Sequence, residues 1–268
     1  MGRCDMRRVQ GFEFEDQAWF PAFLRNYMTD FLRYATYRLG LQHPICEIFA
    51  PFLKETQSTE IIDLCSGAGG LLADTQYALS VHMQKPLTVC FTDKYPNHAA
   101  LQALCAEAPE NRRYCAFPID ATEVPADLTG ARTLFSAFHH FRPEQAQHIL
   151  RDALRSCAPI AVIEVSKRSV MGLIHMLLSP LAVWLYTPAL KPFRWSRLFW
   201  TYLIPAVPFF ILWDGVISAL RTYSPAELKA LIQPLETYAY GWKVGRAKWS
   251  FGYEITYLLG SPAATPDP

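Results

Sequence analysis

Residues Glu60 to Gly70 read EIIDLCSGAGG, an apolar run carrying one carboxylate, Asp63, that feeds a turn built on Gly67, Gly69 and Gly70. Glycines there let the backbone close on a ligand and adopt φ values that side chains avoid. A helix starting at the turn, over Leu71 to Val81, points free N–H groups at whatever lies above it. Such a turn at the carboxyl end of a parallel strand is where doubly wound sheets bind nucleotides. Two nucleotide classes fail on spacing. A dinucleotide fingerprint needs a third glycine where Leu72 stands, and no G-K-[ST] follows the turn. Asp63 would repel a pyrophosphate but accommodate a cationic amino-acid ligand. Leu87 to Asp93, LTVCFTD, is a second apolar run ending in an acid, and such an acid can accept both ribose hydroxyls. Tyr114 to Ala121, YCAFPIDA, carries Asp120 to where an adenine amine would lie. Arg132 to Phe138 runs into His139 and His140, whose imidazoles titrate near neutrality and can take a proton.

These residues require a framework of alternating elements. The sequence predicts strand 60–65, helix 70–82, strand 87–93, helix 96–107, strand 113–119, strand 131–138, helix 143–156 and strand 158–165. Pro143 suits the first position of its helix, and strands spaced by helices imply a parallel sheet. Ser224-Pro225-Ala226-Glu227 is a capping box with proline at the first helical position, opening a helix to about Gln233. Two strands are expected at 237–248 and 250–259, then a flexible tail at 261–268. Residues 1–16 read as a polar arm of disordered type. Trp19 to Leu41 carries Phe20, Phe23, Leu24, Tyr27, Phe31 and Tyr34 at helical spacing, and a short helix follows at Ile45 to Lys54.

With four strand ends in this order, the sequence resembles the class I S-adenosylmethionine-dependent methyltransferases. The resemblance rests on Asp63-x-x-x-Gly67-x-Gly69, Asp93, Asp120-Ala121 and Ser136-Ala137-Phe138-His139-His140, and covers roughly Ser58 to Ser166. It implies an α/β, doubly wound, mostly parallel seven-stranded sheet of Rossmann-like methyltransferase type, with an N-terminal helical cap and an apolar helical insertion. It implies S-adenosyl-L-methionine as cofactor, held by Asp63, Cys65, Gly67, Ala68, Gly69, Asp93, Lys94, Asp120, Ala121 and Ser136. Cys65 stands where the family has a glycine, which predicts a slight shift of the cofactor's amino-acid end without loss of binding. His139 and His140 are the candidate catalytic bases, although such a pair also lines the cofactor pocket in relatives. In the family, N-terminal helices often cover cofactor and acceptor; a helix packed flat on the sheet is the other reading of 19–41. Branches that methylate nucleic-acid bases carry Asn/Asp-Pro-Pro-Tyr where this chain has Ser136 to His139, which argues against a base or a glutamine amide as acceptor.

Composition agrees. Net charge is +1, which gives no basic face for nucleic acid, and apolar residues reach 51% against 18% charged, so much surface must be hidden. The seven cysteines lack C-x-x-C spacing and suit reduced thiols in a cytosol; neither a disulfide framework nor any metal site is expected. The N-terminus carries no signal-type apolar stretch, so the expected location is cytoplasmic. Four regions result: 1–57, arm and helical cap; 58–168, cofactor-binding core; 169–223, apolar insertion; 224–268, last helix, strand pair and tail.

Ser169 to Leu190 and Leu198 to Trp213 contain no Asp, Glu, Lys or Arg. The first run has the length of a bilayer span, yet Pro180 and Pro188 interrupt it, and Pro205 and Pro208 the second. Trp184, Tyr186, Trp195, Trp200, Tyr202 and Trp213 suit a membrane interface or an aromatic lid equally. Lid, membrane-dipping hairpin and span all put an apolar wall beside the methyl donor. The expected acceptor is a small apolar or aromatic molecule, with a peripheral membrane enzyme acting on a lipid and a non-catalytic cofactor-binding module as alternatives. Tyr27, Trp200, Trp213, Asp214, Arg221 and Tyr223 are the candidate substrate contacts; an ion pair between Asp214 and Arg221 is the structural alternative.

Overall fold

The computed structural model describes residues 6–237 and 239–263. Alternation along the strands builds two cores, one on each side of a single sheet. In β1 (Glu60–Asp63), β2 (Thr88–Phe91), β4 (Ala131–Phe135) and β5 (Ile160–Glu164), the side chains of Ile61, Val89, Phe91, Ala131, Ala161 and Ile163 face one side. Their neighbours Ile62, Cys90, Leu134, Ile160 and Val162 face the other. Burial on both faces explains why these segments are nearly continuous apolar runs. With β3 (Arg112–Tyr114), β6 (Tyr240–Lys248) and β7 (Glu254–Pro262), the order is β3-β2-β1-β4-β5-β7-β6. The first five run parallel, and β7 is antiparallel to both β5 and β6. The expected seven-stranded, mostly parallel sheet is present.

Of the nine α-helices among the described residues, five serve this sheet. α2 (Gln42–Glu55) and α3 (Gly70–Met83) pack on the first face, and α5 (Pro143–Arg155) and α9 (Pro225–Ile232) on the second; α4 (His98–Ala106) joins β2 to β3. Ser224 caps α9 in the predicted capping box. A third core lies off the sheet. There α1 (Ala22–Arg38) sets Leu24, Tyr27, Met28 and Phe31 against Val183 of α6 (Val170–Tyr186) and Val207 and Ile211 of α8 (Ala206–Arg221). Between them, α7 (Trp195–Leu198) runs into a π-helical turn, Phe199–Leu203, which meets α8 at a 72° bend by Pro205.

Several expectations need correction. The third strand ends at Tyr114, not near 119, because the chain bends away from the ladder at residues 116–117. Cys115 and Ile119 still donate to Phe91 and Asp93 (3.0 and 2.9 Å), so the loop carries Asp120 to the sheet's carboxyl end. The fourth strand stops at Phe135, where Ser136 turns with φ 48°. β6 starts at Tyr240 and β7 at Glu254, since Ser250–Gly252 forms a 3-10 turn; β7 then takes up Ser261 and Pro262, which were expected in the tail. Residues 264–268 lie outside the described residues, as do 1–5 of the expected arm.

The rest of that arm is ordered. Val9 N donates to Leu220 O (3.2 Å), Asp214 accepts from Phe14 N and Glu15 N (2.7 and 3.1 Å), and Phe12 and Phe14 pack on the Trp213 ring. Its apolar residues have their partners in α8, which no local reading of the sequence reveals.

Candidate functional site

The turn after β1 takes the conformation its glycines permit. Cys65, Gly67 and Gly69 all have positive φ (57°, 56° and 69°). Cys65 thus holds a glycine-type conformation despite its side chain, at a cost on the order of 1–2 kcal/mol. A Cβ on Gly67 would meet nothing within 4 Å, whereas one on Gly69 would lie 2.5 Å from Leu104 Cδ2 and 3.0 Å from the Phe91 ring. Gly67 therefore faces open space and Gly69 faces the core.

Asp63, Asp93 and Ser136 come together at the carboxyl ends of β1, β2 and β4, because Asp63 pairs in register with Phe91 and Thr133. Asp63 is 3% exposed and accepts a hydrogen bond from Thr133 Oγ1 (2.7 Å). Burial pushes its carboxyl up to about 7, against the pull of the Thr133 and Ser66 hydrogen bonds. A cation placed beside it would hold it ionised. Asp93 accepts from Gly67 N and Tyr95 N, both at 2.8 Å, so in the free protein it staples the glycine turn to the end of β2. Lys94 Nζ lies 2.7 Å from Asp120, and this hydrogen bond, with those from Thr122, holds the Asp120 carboxyl down at about 2. Ala121 is buried beside it, and Ala68 is half-buried in the turn. Ser136 donates its N–H to Ile163 O (2.8 Å), fixing the turn out of β4.

That turn leads to the histidine pair on a 3-10 turn, Phe138–His140. His139 is buried: its N–H donates to Glu164 Oε1 (3.0 Å) and its Nδ1 lies 2.7 Å from Oε2. His140 is part-exposed, its ring tilted against that of His139 at 4.3 Å between centroids, and sets Nδ1 2.9 Å from Asp16 Oδ1. Above the pair stands Glu13, fully buried, its carboxyl pushed up by burial to about 7 against the charges of His140 and Arg221. Glu13, Asp16, Glu164 and Arg8 belong to this cluster and were missed in the sequence. Glu164 had a signal, as an acid ending a strand; His140 and Asp16 are 124 residues apart and had none.

The six candidate substrate contacts separate into two groups. Tyr27 OH bonds Ser196 Oγ (2.7 Å), and Trp200 packs on Phe23 at 5.4 Å, both on the seam between α1 and the insertion. The other four hold the protein's own chain. Trp213 Nε1 donates to Phe12 O (3.1 Å), and Asp214 accepts from Phe14 N and Glu15 N. Tyr223 OH donates to Phe141 O (2.8 Å) beneath Arg8. Arg221 donates through Nη1 to Glu13 and Asp16 (3.1 and 3.0 Å) and through Nη2 to His140 O (2.7 Å). The ion pair expected between Asp214 and Arg221 gives way to two separate clamps on the N-terminal segment. A cavity of about 730 Å³ lies elsewhere, between α9 and β6, bordered by Gln233, Tyr240 and Trp242.

No family model and no curated protein sequence matches the chain. By structure it is similar to the plantazolicin methyltransferase BpumL in complex with SAH, with a TM-score of 0.60 at 10% identity over 93% of this chain and 94% of that one. The same enzyme with a monoazolic desmethylPZN analog and SAH gives a TM-score of 0.51 at 10% identity, over 90% and 98% of the two chains. The fold is therefore that of the S-adenosylmethionine-dependent methyltransferases of class I.

Proposed function

We propose that this protein transfers a methyl group from S-adenosylmethionine to a small apolar or aromatic acceptor. One observation carries the reading: a left-handed glycine turn opens onto free space directly after the buried Asp63, with Asp93 and Asp120 ending the next two chain segments. In this reading Asp63 and the backbone of Cys65 to Gly69 take the cofactor's amino-acid end. Asp93 exchanges the Gly67 N–H for the ribose hydroxyls, and Lys94, Asp120 and Ala121 border the adenine. Ser136 lies at the turn beside the donor. The structural neighbour, solved with SAH and with a desmethylPZN analog, supports the donor and a small acceptor. Arg33 of α1 bonds Asp74 of α3 (2.7 Å) and Asn26 bonds Asn97 (3.2 Å), which supports α1 as a cover over the cofactor side.

The sulfonium already activates the methyl carbon, so the protein's work is to hold donor and nucleophile in line and keep water out. An acceptor protonated at neutral pH also needs a base. His140, the less buried of the pair, is the candidate for that base.

Asp93→Ala tests the reading. Calorimetry should find S-adenosylmethionine bound at least tenfold more weakly, about 1.4 kcal/mol. The ligand-free protein should also melt lower, because two N–H groups lose their charged acceptor. Unchanged affinity in the variant, or no binding by the wild type, refutes the reading.

The insertion favours the membrane-associated form of this function. Val170–Ala189 is long and apolar enough to cross a bilayer, yet only 17% of its most apolar window is buried. Leu177, Leu178, Leu181, Trp184 and Leu185 face outward, as do Trp195 and Leu203. An apolar surface of this kind marks an interface, whereas a closed lid would turn these residues inward. We infer a cytoplasmic protein that lays α6 on a lipid surface and draws its acceptor from there. Wild-type protein should float with phosphatidylcholine vesicles, and Leu181→Glu with Leu185→Glu should stay at the bottom of the gradient while binding S-adenosylmethionine normally. Wild-type protein that never floats excludes the membrane form.

A further inference from the structure

One cluster of metal-ligating side chains stands apart from the glycine turn. Glu13, from the N-terminal segment, and His139 and His140, from the turn after β4, each bring one ligand atom within 4.8 Å of the other two. Carboxylates behind the rings set their direction. Glu164 holds His139 Nδ1 at 2.7 Å and Asp16 holds His140 Nδ1 at 2.9 Å. Both Nε2 atoms then turn toward Glu13, at 3.7 Å from Oε1 for His139 and 3.8 Å from Oε2 for His140.

Those separations are too long for hydrogen bonds. They suit donors gathered around one ion: two atoms each about 2.1 Å from a metal stand roughly 3.0–3.4 Å apart, a few tenths of an ångström closer than here. His139 Nε2 and Glu13 Oε2 are buried and have no hydrogen-bond partner. Their residues are 3% and 0% exposed, so water does not satisfy them from outside. A carboxylate behind each ring, fixing tautomer and direction, is the usual support of a metal-bound histidine.

Charge points the same way. Glu13, Asp16 and Glu164 supply three carboxylates, and Arg221, at 3.1 Å from Glu13 and 3.0 Å from Asp16, answers one of them. With Arg8 counted too, the cluster stays net negative, which favours a cation. Arg8 gives its donors to the main-chain oxygens of His139, Phe141 and Arg221, at the edge of the cluster.

We propose that Glu13, His139 and His140 bind one divalent first-row transition ion of the zinc, cobalt or iron kind. Two imidazole nitrogens and one carboxylate suit these ions better than magnesium or calcium, which prefer an all-oxygen set. The ion ties the N-terminal segment to the turn after β4, three residues beyond Ser136, and while bound it takes up the His140 Nε2 that the methyl-transfer reading would use as a base. The proposal stands without the methyl-transfer reading.

The test uses the full chain, freed of metal with a chelator and then titrated with Co²⁺ and with Zn²⁺. Co²⁺ should give visible d–d bands that saturate at one ion per chain and disappear on adding Zn²⁺, with a dissociation constant of about 10 μM or tighter. Saturating Zn²⁺ should raise the unfolding temperature, because the ion binds the folded chain. Glu13→Gln and His140→Gln, each checked for folding by circular dichroism, should bind Co²⁺ at least tenfold more weakly, while His82→Gln on the exposed end of α3 should match the wild type. Wild-type protein without saturable Co²⁺ bands overturns the proposal. So does unchanged affinity in both Glu13→Gln and His140→Gln. Since the readout is the ion and not turnover, this result is independent of whether methyl transfer is found.

Discussion

Gly67→Val should abolish S-adenosylmethionine binding in a protein that keeps most of its stability, whereas Gly69→Val should lose about 2–5 kcal/mol of stability. Both glycines have positive φ, where a β-branched residue is strongly disfavoured. The surroundings separate them. Around Gly67 a Cβ meets no atom within 4 Å, so valine projects into the space assigned to the cofactor's amino-acid end and leaves the core untouched. The cost to the free protein is backbone strain on the order of 1–2 kcal/mol. The cost to binding is exclusion of the ligand, expected at about a hundredfold or more, near 2.7 kcal/mol. Around Gly69 the same change drives a side chain into Leu104 and Phe91, both fully packed in the core. Overpacking of about 1–3 kcal/mol then adds to the strain. Calorimetry and thermal unfolding on the two variants separate the cases. Wild-type affinity in Gly67→Val would mean that the turn serves another ligand.

Arg221→Ala should cost about 3–5 kcal/mol of stability, the range for removing one partner of a buried ion pair. The guanidinium is buried and donates to Glu13, Asp16 and His140 O. Without it, Glu13 and Asp16 face each other's charge, and the N-terminal segment loses one of its two clamps on α8. Urea unfolding should register the loss, and limited proteolysis should cut within residues 6–20 at a much higher rate than in the wild type. Arg221→Lys should recover only part, since a single ammonium does not reproduce the forked geometry. A loss below about 1 kcal/mol, the size of a surface pair, would mean that the segment is anchored elsewhere.

The strand-end placement of the candidate cofactor residues is legible because its signals are local. Asp63, the glycines, Asp93 and Asp120 each sit at the end of an apolar run, and strand-end position can be read from the run itself. The partners of the candidate substrate contacts are not legible in the same way. Asp214, Arg221 and Tyr223 were recognised as polar residues leaving an apolar insertion, but their partners are Phe14, Glu13 and Phe141, distant in sequence and in no repeating pattern with them. The arm was read as disordered for the same reason: Glu13 lies in a charged stretch whose burial depends on α8 and on the turn after β4.

The sequence by itself determined the sheet, its alternation with helices, the conformation of the glycine turn and the existence of a long apolar insertion. Each follows from periodicity, from residues that break or permit backbone conformations, or from composition, and all act over a few neighbouring residues. Only the tertiary structure decided that the insertion keeps its apolar face outward, that the Asp93 carboxylate holds the turn in the free protein, and that two histidines converge on a glutamate from the N-terminal segment. Those facts are set by which surfaces meet when the chain closes, and a carboxylate's or an imidazole's chemistry depends on what it meets.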